Sequence, residues 1–235
     1  MKKMLSTADI HIHTTYSDGV ATPTQVLAYA AAHTDLRVIA ITDHDAISGA
    51  LEARDLAGEF GLEVIVGEEV STREGHLLAL FIEEELPAGR PAVETVAAIH
   101  AQGGICVAPH PFGMLVPSVG RCGPLRRKVG LDRGWPVDAI ESFNASLWLP
   151  LNNRAAASYA ARHGIPALGG SDAHHLETIG RGYTHFPGRS AADLRRAILA
   201  GETMACGRPW FWGPRLLTAW LSVRLGGAPD LPVTA

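Results

Sequence analysis

Apolar runs of strand length recur along this chain, and nearly all of them lead into histidine or a carboxylate. Val38-Ile39-Ala40-Ile41-Thr42 ends in Asp43-His44-Asp45, and Leu62-Glu63-Val64-Ile65-Val66-Gly67 ends in Glu68-Glu69. Gly104 to Ala108 leads to His110 between two prolines, and Ile165 to Gly170 leads to Ser171-Asp172-Ala173-His174-His175. His76 opens the run His76 to Ile82. Parallel α/β sheets and barrels place their chemistry at the carboxyl ends of their strands, so this pattern reads as one chemical mouth. The first run, Asp9-Ile10-His11-Ile12-His13, sharpens the point. On a strand, residues two apart share a side, so His11 and His13 project together while Ile10 and Ile12 face covering helices. Two imidazoles confined in this way are costly unless something binds them, and a divalent metal ion is the simplest partner.

Between these runs lie Ala-rich segments with explicit helix signals. Thr22-Pro23-Thr24-Gln25 supplies a threonine cap, proline at the first helical position and glutamine three residues past the cap, which predicts a helix over 23–33. Further helices are expected near 47–59, 91–102, 152–163 and 190–201. Strands near 8–13, 37–42, 62–68, 76–82, 104–108, 137–143 and 165–169 number about seven and are expected to be largely parallel, as in a closed or nearly closed barrel. With 235 residues, 47% of them hydrophobic, the chain suits one domain over 1–235. Residues 112–136, rich in glycine and carrying Arg121, Arg126, Arg127 and Lys128, read as a lid or substrate loop, and 208–235 as a C-terminal extension.

A net charge of −4 gives no general attraction to nucleic acid or to an anionic membrane. Three cysteines without paired spacing point to a reducing compartment and to ligands other than sulfur. The start Met1 to Ser6 lacks the apolar core of a signal peptide, so the expectation is a cytoplasmic protein with no membrane partner.

Taken in order, Asp-x-His-x-His with Ser-Asp-Gly, Thr-Asp-His, Gly-x-Glu-x-Ser-Thr followed by histidine, Pro-His-Pro and Ser-Asp-Ala-His resemble the motifs of the PHP family, the polymerase and histidinol phosphatase superfamily of metal-dependent phosphoesterases. The resemblance runs from Asp9 to about Phe186. It implies a distorted seven-stranded, TIM-like β/α barrel binding two or three divalent ions, manganese, zinc or iron, with magnesium as a further option. Carried over by position, it implies that His11, His13, Glu69 and Asp172 hold the first ion and form the catalytic centre. Glu69, His76 and His110 would hold the second ion, and Asp18, His44 and His174 the third, with Glu69 rather than Glu68 as the bridge. Asp9, on the same strand side as His11 and His13, is expected to orient an imidazole, with Asp43 in a similar role. Asn144 reads as a turn former.

The chemistry expected of such a centre is hydrolysis of a phosphate ester by a hydroxide bridging the metals, with no serine or cysteine nucleophile. Arg121, Arg126, Arg127, Arg181 and His175 are the candidates for contacting phosphate, and His175 or Asp45 for protonating the leaving group. A small phosphomonoester, a nucleotide or sugar phosphate, is the leading substrate class. The alternative is an exonuclease or phosphodiesterase acting on short oligonucleotides. A metal-dependent amidohydrolase is disfavoured, because its two-metal versions use a carboxylated strand lysine and no lysine falls in an expected strand. A non-catalytic regulatory PHP domain is disfavoured because no ligand is lost.

Overall fold

The computed structural model describes residues 4–113, 116–120, 136–147 and 150–210. Its first half runs β1 (Leu5–Ile12), α1 (Pro23–His33), β2 (Val38–Ile41), α2 (Ser48–Leu56), β3 (Glu63–Thr72), β4 (Gly75–Leu80) and α3 (Ala92–Ala101). The second runs β5 (Ile105–Ala108), β6 (Ala139–Asn144), α4 (Pro150–His163), β7 (Ala167–Gly170), β8 (Gly182–Pro187), α5 (Ala191–Ala200) and β9 (Met204–Gly207). The strands form one nine-stranded sheet in the order β7-β6-β5-β4-β3-β2-β1-β8-β9. The seven expected strands are β1 to β7, and β8 and β9 are additions. The five helices fall within about three residues of the expected ranges, and α1 and α5 begin with side-chain caps. At α1 the Thr22 hydroxyl accepts from Gln25 N–H, while Gln25 returns a bond to the Thr22 backbone.

The sheet is less parallel than expected. β1–β2, β2–β3, β5–β6 and β6–β7 are parallel, but β3–β4, β4–β5, β1–β8 and β8–β9 are antiparallel. The reason at β4 is local, since only Arg73 and Glu74 separate it from β3, too few residues for the crossover a parallel neighbour needs. This reversal matters for the site. His76 stands near the amino end of β4 and is cross-paired with Ser71 near the carboxyl end of β3, so it reaches the same mouth as residues at the carboxyl ends of parallel strands.

The sheet curls until its two ends meet. Beyond β7, Ala173 pairs with Ile12 of β1, with His13 N–H donating to the Ala173 carbonyl at 2.9 Å. At the seam the Thr184 hydroxyl both accepts from Gly169 N–H and donates to the Gly169 carbonyl. Glycine is required there, because a side-chain carbon at Gly182 would collide with the Gly170 carbonyl. The interior is filled by residues from all of β1 to β8, among them Ile10, Leu78, Leu80, Val107 and Phe186, and α5 closes it with Leu194 and Ile198. A second apolar layer packs α1 to α4 on the outside of the sheet. Fully buried side chains of this kind contribute roughly 1.5–3 kcal/mol each.

One expectation about β1 fails. Its register shifts between Asp9 and Ile12, so Ile10 joins the interior cluster while Ile12 joins the helix-facing one. A bulge of this kind re-aims side chains, and simple alternation along the strand no longer applies. The expected loop over 112–136 is described only in part, and Arg121, Arg126, Arg127 and Lys128 lie outside the described residues. Its opening is packed wall: Val119 is fully buried, and His76 N–H donates to the Pro117 carbonyl. The extension beyond Trp210 also lies outside the described residues. No described helix is long and apolar enough to cross a membrane.

Candidate metal centre

At the mouth of the barrel the ends of β1, β2, β3, β5 and β7 and the start of β4 bring their histidines and carboxylates together. His11 Nε2 lies 3.0 Å from Glu69 Oε2 and 3.6 Å from Asp172 Oδ1. His13 Nε2 lies 3.2 Å and 3.3 Å from the same two oxygens. On the other side of the same carboxylate, Glu69 Oε1 is 2.9 Å from His76 Nδ1 and 3.0 Å from His110 Nε2. Glu69 therefore presents one oxygen to each of two histidine pairs. Farther out, Asp18 Oδ2 is 3.1 Å from His174 Nε2 and 3.8 Å from His44 Nε2.

Three sets of donor atoms lie within 4.8 Å of one another: His11, His13, Glu69 and Asp172; His44, Glu69 and His76; and His13, Asp18, His44 and His174. All nine residues carried over as ligands meet at this mouth, but the grouping differs, and His110 belongs to none of the three sets. His44 is shared between the second and third sets, and His13 joins the third. His110 reaches the cluster through Glu69.

The donor chemistry fits divalent cations. Both ring nitrogens of His13 are buried and make no hydrogen bond, although carboxylate oxygens surround them. Buried polar atoms left without partners are rare and call for an explanation, and an ion between imidazole and carboxylate supplies one. The electrostatics agree. Burial opposes charge on His11, but Asp172, Glu69 and Glu141 outweigh it and hold the imidazole well above its usual range. Burial likewise opposes charge on His13, which Asp172 and Glu69 push up to about 9. Glu69 and Asp172 are held well below the carboxylate range by the facing imidazoles, with His11 foremost, against the burial that opposes this. His44, more open, is lowered, chiefly by desolvation.

Local backbone serves the same mouth. His110 and Asp172 adopt φ of 28° and 54°, in the left-handed region that non-glycine residues avoid, and Asp45 stands at 51°. Asp43 accepts from Thr14 N–H, the Thr14 hydroxyl and the Ser17 hydroxyl, so it clamps the turn that carries Asp18 rather than orienting an imidazole. Asp9 also differs from expectation. Because of the bulge its carboxylate accepts backbone N–H groups of Ser171, Gly180 and His11, and burial pushes it up to about 6. Arg181 donates to the Glu177 carbonyl and lines a cavity of about 420 Å³ that contains none of the nine ligands. His175 is directed toward Trp210, with ring centroids 6.3 Å apart. Glu68 accepts from Leu86 N–H and is pushed up to about 8 by burial, and it stands outside all three sets.

Three residues at the site were not anticipated. Glu141 lies 3.1 Å from His11 Nδ1, Asn144 Nδ2 donates to both Glu141 and Asp172, and the Ser146 hydroxyl donates to Asp172 at 2.7 Å. A carboxylate inside the apolar run 137–143 is the signal that marks Glu141, since a buried charge needs partners.

Comparison with known proteins places this geometry among relatives. Residues 9–108 match the family model described as the PHP domain, and residues 150–203 match the one described as PHP-associated. An uncharacterized protein of Methanocaldococcus jannaschii is 38% identical over 149 residues, covering 59% of this chain and 81% of that protein. A 5'-3' exoribonuclease of Haemophilus influenzae is 42% identical over 83 residues, 34% of this chain and 30% of the relative. A 3',5'-nucleoside bisphosphate phosphatase of Chromobacterium violaceum is 38% identical over 88 residues, 36% of this chain and 30% of the relative. The chain thus spans under a third of either named enzyme. Among solved structures, a two-domain Bacteroides vulgatus protein described as containing a PHP-like metal-dependent phosphoesterase superposes with a TM-score of 0.70 at 20% identity, over 87% of this chain and 65% of that one.

Proposed function

Because the chain belongs to the PHP family, we propose that it is a metal-dependent phosphoesterase whose substrate is a small phosphomonoester, a nucleotide or sugar phosphate. The observation that carries this reading is the convergence of eight candidate ligands in three donor sets, with His110 joined to them through Glu69 and both His13 ring nitrogens buried without a hydrogen bond. Two or three divalent ions fit the donor sets, and nitrogen with carboxylate oxygen suits manganese, zinc or iron. When bound, such ions supply Lewis acidity that lowers the pKa of water toward about 7 and neutralises phosphoryl charge.

The chain's own residues supply the rest. His11, His13, Glu69 and Asp172 would hold the most buried ion, and Glu69, whose other oxygen faces His76 and His110, would contribute to a neighbouring one. Among the described residues, His11 and Glu69 form the buried side of the cluster and the partly exposed His44 and His174 form its more open side. Asp45, next in sequence to His44, accepts from Ser71 N–H and is the candidate for protonating the leaving group. The net charge of −4 favours a small substrate over a long polyanion. The oligonucleotide reading rests on the His175 ring, next in sequence to His174 and 6.3 Å from the Trp210 ring, as a candidate for base stacking. The amidohydrolase reading loses ground because no described strand contains a lysine, whereas its two-metal versions use a carboxylated strand lysine.

The test is reconstitution with manganese, zinc or iron, followed by measurement of phosphate release from nucleoside monophosphates and sugar phosphates against cleavage of dinucleotides and oligonucleotides. His11→Ala and Asp172→Asn are the controls. Monoester turnover that both variants abolish is the expected result. Equal turnover by wild type and both variants would remove the metal mechanism, and a preference for oligonucleotides would promote the nuclease.

A further inference from the structure

Glu141 is fully buried, and it sits at a second register shift, between Glu141 and Phe143 of β6, which turns its side chain toward the candidate ligands. Its carboxylate is saturated by donors from three directions. Oε1 lies 3.1 Å from His11 Nδ1, while Oε2 accepts from His110 N–H at 2.7 Å and from Asn144 Nδ2 at 2.9 Å. Asn144 and Ser146 then both donate to Asp172 Oδ2, at 3.2 Å and 2.7 Å, which leaves Asp172 Oδ1 as the oxygen facing His11 and His13. Room for this arrangement is provided by Gly170. A side-chain carbon there would collide with Glu141 Oε1 and stand 2.8 Å from His11 Cβ.

We propose that Glu141 is a positioning residue that keeps a proton on His11 Nδ1, and so presents Nε2 to the first ion, while the chain Glu141, Asn144, Ser146 selects which oxygen of Asp172 faces the same ion. This rests on the reading of the mouth as a metal centre. The physical argument is asymmetry. His11 has carboxylates at both ring nitrogens, but those at Nε2 belong to the ligand sets and the one at Nδ1 does not. When an ion takes Nε2, the remaining proton stays on Nδ1, where a carboxylate acceptor holds the ring plane and raises the basicity of the nitrogen that ligates. The same carboxylate holds His110 N–H, so ligands from the ends of β1 and β5 are fixed by one group.

The isosteric change Glu141→Gln separates this role from packing. An amide has one acceptor oxygen, and two donors, His110 N–H and Asn144 Nδ2, compete for it against one, so its NH2 turns toward His11 Nδ1 and opposes the proton there. The expected result is a loss of zinc affinity of about 10- to 100-fold, measured by calorimetry on stripped, folded protein. In the zinc-loaded state, wild type should show a downfield, exchange-protected Nδ1 proton of His11 by NMR, and Glu141→Gln should lack it. Asn144→Ala, the second variant, cuts the tie to Asp172 and leaves Glu141 in place, so affinity should fall while the His11 proton signal persists. Wild-type affinity or a retained proton signal in Glu141→Gln would overturn the proposal, as would loss of that signal in Asn144→Ala alone. Failure of the wild-type protein itself to take up zinc is a separate outcome, which removes the metal centre and this role with it.

Discussion

Glu69 carries more of the site than any other single residue, because its two oxygens serve different histidine pairs from one buried position. Glu69→Gln keeps the shape and removes the charge. It should lower phosphoesterase turnover by more than about a hundredfold, beyond the loss usual for an outer partner; a variant with near-normal turnover would show that the bridge is dispensable. At this scale the sequence is an uneven guide. The nine candidate ligands are legible because most stand at the ends of apolar runs in a recurrent order. Glu141 is harder to see, since it stands inside its run. Asp9 misleads for a physical reason, as strand parity assumes an unbroken pleat and the bulge after Asp9 breaks it. Asn144, which reads as a turn former, is hydrogen-bonded to two carboxylates of the site.

Helices α1 and α5 each begin with a complete capping box, Thr22 with Gln25 and Ser190 with Asp193. Thr22→Ala should cost about 1 kcal/mol of stability and leave turnover unchanged, measured by denaturant melts and phosphate release. Asp193 is drawn from 3.8 down to about 2 by the backbone N–H groups of Arg189 and Ser190, helped by the Ser190 hydroxyl and Arg196. A carboxyl with a depressed folded value stabilises the fold above its unfolded value, and that contribution fades as pH falls through the folded one. The stability gap between wild type and Asp193→Asn should therefore be open above about pH 4 and closed near about pH 2. A gap that stays constant across that window would rule out this cap as an acid-sensitive element. Elements are legible where covering is two-sided. β1 to β7 announce themselves as continuous apolar runs, whereas β8 alternates Tyr183, Thr184, His185 and Phe186 between its faces and hides among turn residues. The direction of β4 is set by its two-residue link to β3, a matter of turn length rather than of pattern.

For the molecule as a whole, the curl of the sheet sorts the ligand sets by depth. His11, His13 and Glu69 are at most 1% exposed, whereas Asp18 is 55% and His44 and His174 are 28% and 27% exposed. Dialysis against increasing chelator should therefore release the ion at Asp18, His44 and His174 first, and metal analysis should show a plateau before the rest departs; simultaneous loss of all ions would contradict the sorting. Closure itself depends on Gly182, and Gly182→Ala should cost about 3 kcal/mol through overpacking at the seam. The barrel class and its chemical mouth can be foreseen from the order of runs, but its closure depends on glycines and one threonine hydroxyl that carry no periodic signal. The left-handed backbone at His110 and Asp172 has a consequence for how this chain can evolve. Those positions store conformational energy of about 1 kcal/mol or more each, which glycine would release. Laboratory selection for heat tolerance alone would thus drift toward glycine at the two places where hydrolysis is lost, enriching hardy but inert descendants.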